Sequence, residues 1–151
     1  MEKSLLIENQ GNKLIFYGIL LFFFGLIVGL FVPLMANPRM GVSSHLEGIL
    51  NGIFLVILGL IWGRIKLSEK WLKTTFWLSI YGTFANWFGI LFAGVFNAGK
   101  LLNIAANGQE GSAVEEAIVN FFLFSLSIAM IIICIAVLIG LKRNMKKSPQ
   151  D

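Results

Sequence analysis

The chain has 151 residues, of which 57% are hydrophobic and 13% are charged, and its formal net charge is +4. Soluble domains carry about 25% charged residues, so this composition excludes an ordinary water-soluble domain. No basic patch with interleaved stacking aromatics lies outside the apolar stretches, which argues against nucleic acid as a partner. Cys134 stands alone in an apolar run, so one chain cannot form a disulfide framework or a cysteine-based metal site.

Four apolar segments are long enough to cross a bilayer, because about 20 predominantly apolar residues span about 30 Å of hydrocarbon. These predicted spans cover residues 14–35, 45–65, 71–96 and 114–141. Residues 1–13 precede them as an N-terminal segment, and residues 142–151 form a charged tail. The first apolar stretch is too long for the hydrophobic region of a cleaved signal peptide. The predicted fold is therefore an all-α integral membrane protein with a four-transmembrane-helix bundle.

The positive charges at the ends of the spans predict the orientation. Of the twelve Lys and Arg residues, only Arg39 and Lys100 lie in the first and third connections between spans. The others lie near the N-terminus, around the second connection and in the tail. Because positive residues concentrate on the cytoplasmic side, we expect both termini in the cytoplasm. For a bacterial protein this gives a multi-pass protein of the inner membrane.

The first span carries glycines on one face. Gly18, Gly25 and Gly29 lie together on a helical wheel, and the last two have the GxxxG spacing. Glycines at this spacing let two helix backbones approach closely in a membrane. We therefore expect the first span to pack tightly against another helix.

The second span carries a histidine and two glycines on one face. At 100° per residue, His45, Gly48 and Gly52 face one way, whereas Glu47 and Asn51 face another. A strip without side chains suits a flat macrocycle or a tightly packed neighbour. A lone histidine at a helix start is more often an interface residue than a ligand. As the chain has no other histidine, a haem held by it would keep an open sixth position.

The third span contains a stripe of small and polar residues. Tyr81 and Trp87 flank this stripe, which consists of Thr75, Gly82, Asn86, Gly89, Ala93 and Asn97. Helix packing with an interhelical hydrogen bond from Asn86 explains the stripe, and so does the wall of a pocket. Both interpretations stay open at this point.

The fourth span begins with two carboxylates. We interpret Glu115 and Glu116 as solvated charges at a helix N-terminus, where carboxylates are favourable. Asn120 lies one turn deeper than Glu116 and enters from the same side of the membrane as the polar residues of the second and third spans. It is therefore a candidate member of that polar cluster.

Three short runs resemble a known family. They are HLEGILNG at residues 45–52, LGLIW at residues 58–62 and YGTFANW at residues 81–87. Together they resemble the bacterial hydroxylaminobenzene mutases. More distantly they resemble the membrane-bound styrene oxide isomerases, which share the His-x5-Asn-Gly pattern in the second helix and an asparagine in the third. The resemblance covers the second and third spans, and the other spans agree only in hydropathy.

This resemblance implies a trimeric four-helix membrane isomerase with a haem b, and hence iron, between protomers. It makes His45 the metal ligand and makes Asn51 and Asn86 the pocket residues that orient the substrate. The helical wheel adds Gly48 and Gly52 beside the cofactor. From the polar residues of the third and fourth spans we place Tyr81 with the catalytic asparagines, and Trp87, Asn97 and Asn120 around the substrate.

The implied function is haem-dependent conversion of an aromatic hydroxylamine, such as hydroxylaminobenzene, to an aminophenol, with the ferric haem as Lewis acid. The epoxide isomerases have a tyrosine one turn beyond the third-helix asparagine, where this chain has Ile90, which argues against epoxide isomerisation. The alternatives are an epoxide isomerase and a non-enzymatic membrane subunit that binds haem or packs helices. Ion-coupled transport is disfavoured because we expect no charged residue deep in a span. The implied partners are a small aromatic substrate, lipid and copies of the same chain.

Overall fold

The computed structural model describes residues 2–146, so Met1 and residues 147–151 of the predicted tail lie outside the described residues. Within that range the chain forms helices joined by short turns and no strand. The helices are α1 (Glu2–Phe31), α2 (Pro38–Ile61), α3 (Glu69–Phe96), the short α4 (Asn103–Ala106) and α5 (Ala113–Met145). Single 3-10 turns follow α1, α2 and α3 at Val32–Leu34, Trp62–Arg64 and Lys100–Leu102.

The four long helices are all long and apolar enough to cross a membrane. The predicted all-α four-helix membrane bundle is therefore confirmed. The helices extend beyond the predicted spans, since α1 already begins at Glu2 and α2 begins at Pro38. Hydropathy marks only the apolar part of a helix, whereas its ends are set by caps such as Asn37, whose side chain accepts a hydrogen bond from the Met40 backbone. The membrane borders and the orientation stay predictions.

Helices α1 and α2 are in direct backbone contact along their length. A Cβ atom added at Gly18 would lie 2.7 Å from the carbonyl oxygen of Gly52, and one added at Gly48 would lie 2.5 Å from the Cα atom of Gly25. Gly11 approaches Gly59 in the same way, with 3.1 Å from an added Cβ atom to the Gly59 carbonyl oxygen. The close packing predicted from the first-span glycines is therefore confirmed.

Helix α3 joins this pair to α5. Gly94 of α3 approaches the backbone of Gly41 in α2, while Gly82 and Gly89 pack against Met130 and Phe122 of α5. The packing interpretation of the third-span stripe is therefore correct for these two glycines. No Cα atoms of α2 and α5 lie within 8 Å of each other, and the apolar cleft between these helices contains a cavity of about 260 Å³.

The connection between α3 and α5 is fastened to the bundle by a carboxylate. Glu116 is only 7% exposed, and it accepts hydrogen bonds from the backbone N–H groups of Lys100 and Gly111, the shortest at 2.8 Å. The helix-start interpretation holds for Glu115, which forms a capping box with Ser112. It is wrong for Glu116, because this side chain turns away from solvent to satisfy backbone donors of the connection.

We predict that Gly18→Ala destabilises the bundle. The added Cβ atom would lie 2.8 Å from the backbone nitrogen of Val56 as well as close to Gly52, so the two helices must separate, at a cost of about 1–3 kcal/mol. The unfolding temperature in detergent measures this loss. Gly63→Ala is the matched control, because nothing lies within 4 Å of a Cβ atom there. Equal unfolding temperatures for the two variants would contradict the tight α1–α2 contact.

We also predict that Glu116→Ala loosens the connection between α3 and α5. The backbone N–H groups of Lys100 and Gly111 lose their acceptor, so amide hydrogen exchange at these two positions should accelerate by about tenfold, the equivalent of one lost hydrogen bond. Glu110→Ala is the control, because Glu110 only forms an exposed ion pair with the Lys100 side chain. Unchanged exchange in Glu116→Ala would show that other contacts hold the connection.

Candidate functional site

A carboxylate and two carboxamides meet between α2 and α3. The Oε2 atom of Glu47 accepts a hydrogen bond from Nδ2 of Asn51 at 3.0 Å and another from Nδ2 of Asn86 at 2.6 Å. Asn51 is 8% exposed, and the other two side chains are half-buried. The structure thus brings together the two asparagines that the sequence singled out, with Glu47 as the group that joins them. We call these three residues the carboxamide cluster.

Local geometry explains the carboxamide cluster. Glu47 and Asn51 are four residues apart on α2, so their side chains lie one above the other on the same helix face. Asn86 reaches them from α3, where the neighbouring backbone carbonyl of Trp87 accepts a hydrogen bond from Ser44 of α2 at 3.4 Å. This contact helps fix the register of α2 against α3 at the level of the carboxamide cluster.

Glu47 is the residue that sequence reasoning missed. It lies nine residues beyond Pro38 on α2, which is about 14 Å along the helix axis. It is a half-buried carboxylate within the second long apolar helix. Its i, i+4 spacing to Asn51 was a usable signal, since a carboxylate at membrane depth needs hydrogen-bond donors nearby.

His45 lies on the other side of α2, against α1. Its Nδ1 atom is 2.8 Å from the carbonyl oxygen of Gly25. A carbonyl can only accept, so Nδ1 carries the proton and Nε2 keeps a free lone pair in the neutral ring. Gly29 makes room for the ring, since a Cβ atom there would lie 2.7 Å from Nδ1. This is the tautomer that a histidine needs in order to bind a metal through Nε2.

An apolar groove of about 620 Å³ opens beside His45. Its wall is formed mainly by side chains of α1, with Val42 and His45 from α2; the α1 residues are Phe23, Leu26, Ile27, Gly29 and Leu30. The groove and the free Nε2 lone pair fit an apolar macrocycle with a central metal. No group of three His, Cys, Asp or Glu side chains within residues 2–146 could hold a metal ion.

The glycine strip below His45 is occupied by α1. Gly48 lies against Gly25, and Gly52 lies against Gly18 and Phe22. The strip therefore accommodates a packed neighbour and leaves no room for a flat macrocycle. This corrects the expected contact of Gly48 and Gly52 with a cofactor, because the same absence of side chains that would admit a porphyrin has admitted a helix backbone.

Two further predicted site residues lie away from the carboxamide cluster. The Tyr81 hydroxyl is 2.6 Å from the Ser125 hydroxyl of α5, so the hydrogen bond of Tyr81 connects α3 to α5 and not to Asn86. Asn97 ends α3 in the left-handed conformation, accepts a hydrogen bond from Asn37 and donates one to Gln109. Within one chain, neither residue is positioned beside Asn51 and Asn86, and Asn97 belongs to the connection after α3.

Trp87 and Asn120 carry polar atoms without protein partners. Trp87 stacks on Phe24 of α1, with ring centroids 5.6 Å apart, and its indole Nε1 is buried with no hydrogen-bond partner among the described residues. The Oδ1 atom of Asn120, on α5, is likewise buried with no hydrogen-bond partner among the described residues. Buried polar atoms are nearly always hydrogen-bonded, so both are suited to contact a bound polar group.

Comparison with known proteins gives consistent results. A family model described as styrene oxide isomerase matches residues 10–142. Hydroxylaminobenzene mutase HabB of Ectopseudomonas oleovorans is 47% identical over 132 residues, which are 87% of this chain and 80% of that protein. Hydroxylaminobenzene mutase HabA of the same organism is 48% identical over 127 residues, which are 83% of this chain and 94% of that protein. No solved structure matches the chain.

The family match includes His45, the carboxamide cluster, the whole of α2 and α3, and most of α1 and α5. The matched family and the two named relatives are isomerases, so this chain is a multi-pass membrane enzyme of that class and the non-enzymatic alternative is set aside. The chain belongs to the styrene oxide isomerase family.

Proposed function

We propose that this isomerase converts an aromatic hydroxylamine, such as hydroxylaminobenzene, to an aminophenol. In this reaction the N–O bond breaks, a C–O bond forms at the ring, the ring carbon loses a proton and the nitrogen gains one, so no external oxidant or reductant is needed. The observation that carries the proposal is the carboxamide cluster, set between apolar helices of a chain 47% identical to a protein named for this substrate.

His45 is the residue that would hold a haem b. Its protonated Nδ1 is fixed on the Gly25 carbonyl, which leaves Nε2 as the donor atom, and the adjoining groove is apolar. When bound, a ferric haem supplies a Lewis acid, which favours weakening of an N–O bond without net redox change.

The other site residues bind and orient the substrate. Asn51 and Asn86 offer hydrogen-bonding groups at fixed positions because both are tied to Glu47. Trp87, stacked on Phe24, offers an aromatic surface for the substrate ring. The surrounding apolar side chains exclude water, so each of these fixed dipoles acts more strongly on developing charge than it would in bulk solvent.

The proposal also includes the assembly and the location of the protein, which are a homotrimer and the bacterial inner membrane. Within one chain His45 faces α1, whereas the carboxamide cluster faces α3. A second protomer is the simplest means of bringing a haem-bearing histidine next to the carboxamide cluster. The uneven distribution of Lys and Arg supports cytoplasmic N- and C-termini.

Epoxide isomerisation is the second candidate, and the family match favours it. Ile90 weighs against it. This side chain is 7% exposed and packs with Met40 and Ala93 in an apolar cluster, so it offers no hydroxyl where the resemblance places the tyrosine of the epoxide isomerases.

We predict that His45→Ala removes both the Soret band and the conversion of hydroxylaminobenzene in detergent-purified protein. Asn86→Ala should keep the Soret band and lower kcat by at least about tenfold, the equivalent of one lost transition-state hydrogen bond. Absorption spectra and product formation measure the two effects, with Gly63→Ala as the control.

Two results would contradict this proposal in different ways. Full mutase activity of a haem-free His45→Ala protein would remove the haem from the mechanism. Failure of the unmodified, haem-loaded protein to form any aminophenol would remove the proposed substrate.

A further inference from the structure

We infer that Glu47 selects the class of ligand in the carboxamide cluster. It holds the NH2 groups of Asn51 and Asn86, so that the two carboxamide oxygens face the ligand and favour aryl compounds with an N–H or O–H donor over compounds that can only accept. The inference rests on the proposed function, because it explains why a hydroxylamine suits this site better than an epoxide.

The direction of the two hydrogen bonds follows from the chemistry of the groups. The atoms that face Oε2 of Glu47 at 3.0 and 2.6 Å are the amide nitrogens of Asn51 and Asn86, and an amide nitrogen can only donate. Nitrogen and oxygen diverge from the same carbon of each carboxamide. Holding the nitrogens on Glu47 therefore turns both Oδ1 atoms away from it.

Three oxygen atoms of the carboxamide cluster are left without protein donors. They are Oε1 of Glu47 and Oδ1 of Asn51 and Asn86, none of which has a hydrogen-bond partner within residues 2–146. The Oδ1 atom of Asn120 is fully buried and lacks a partner, whereas these three oxygen atoms are not among the fully buried ones. The site thus presents acceptors that lack protein donors, and the ligand that satisfies them must bring donors.

The two candidate substrates differ in the number of hydrogen-bond donors that they bring to the site. A hydroxylamine carries one N–H and one O–H donor, whereas an epoxide oxygen carries none. A site built around polar groups discriminates strongly against an analogue that leaves those groups unpaired. The orientation imposed by Glu47 therefore favours the hydroxylamine and disfavours the epoxide at the same atoms.

Two substitutions of Glu47 by side chains of similar length separate its role in orienting the asparagines from effects of its charge and from effects on folding. In Glu47→Gln the side-chain oxygen can still accept from both asparagines, whereas in Glu47→Met no oxygen remains. Asn86→Leu is an independent variant that removes one of the three acceptors and leaves Glu47 in place. Glu110→Met is the control, since Glu110 lies in the connection after α3 and pairs with Lys100.

The test is the binding of a non-reactive ligand pair to detergent-purified protein by calorimetry. N-methylaniline has an N–H donor and N,N-dimethylaniline has none. Partition of each ligand into detergent is the same for every variant, so the change in the ratio of dissociation constants between variants reports the site alone. We expect the unmodified protein, Glu47→Gln and Glu110→Met to prefer N-methylaniline by about fivefold to tenfold, the equivalent of one hydrogen bond.

In Glu47→Met this preference should fall below about twofold, whereas Asn86→Leu, which keeps Asn51 held on Glu47, should retain part of it. An unchanged preference in folded Glu47→Met overturns the inference, and so does an unmodified protein that shows no preference. Turnover of hydroxylaminobenzene by the unmodified protein is measured separately. Turnover without a donor preference leaves the proposed function standing and rejects the role of Glu47, whereas a Glu47-dependent preference without turnover supports that role and rejects the substrate.

Discussion

Direct backbone contact between α1 and α2 fixes the position of the polar residues in this bundle. Lipid is as apolar as a leucine side chain, so membrane helices gain little from burying apolar surface and associate through close packing. The pairs Gly18–Gly52 and Gly25–Gly48 provide that packing. They also fix the rotation of α2 about its axis, since any turn of the helix would bring side chains into the contact.

That rotation determines where each polar residue of α2 points. With its glycines against α1, α2 directs the His45 ring onto the Gly25 carbonyl and directs Glu47 and Asn51 toward Asn86 of α3. One helix therefore serves two chemically different surfaces, an apolar groove with a histidine lone pair and a cluster rich in hydrogen-bond acceptors. The half-buried carboxylate of Glu47 is tolerated between these helices because two amide donors compensate its loss of water.

The same scaffold can serve different isomerisations by changing few groups. This chain has the histidine and both asparagines on which the resemblance rests, whereas Ile90 fills an apolar cluster where the resemblance places the tyrosine of the epoxide isomerases. Glu47 adds an acceptor and orients the asparagines. Specificity in such a site depends on which hydrogen-bonding atoms face the ligand, because apolar walls discriminate only weakly between aromatic rings of similar size.

Hydropathy and helical periodicity, which are properties of short segments, predicted the four apolar helices and the packing face of Gly18 and Gly25. The resemblance of three short runs to a known family pointed to His45, Asn51 and Asn86. The sequence alone went no further than these points. It could not say whether the strip at Gly48 and Gly52 would face a macrocycle or a helix, since either occupant needs the same absence of side chains. Nor could it show that Glu47 joins Asn51 to Asn86, that Glu116 is buried, or that Tyr81 and Asn97 lie elsewhere. Each of these points depends on the rotation and register of one helix against another, which no single segment encodes, so it became visible only in the packed bundle.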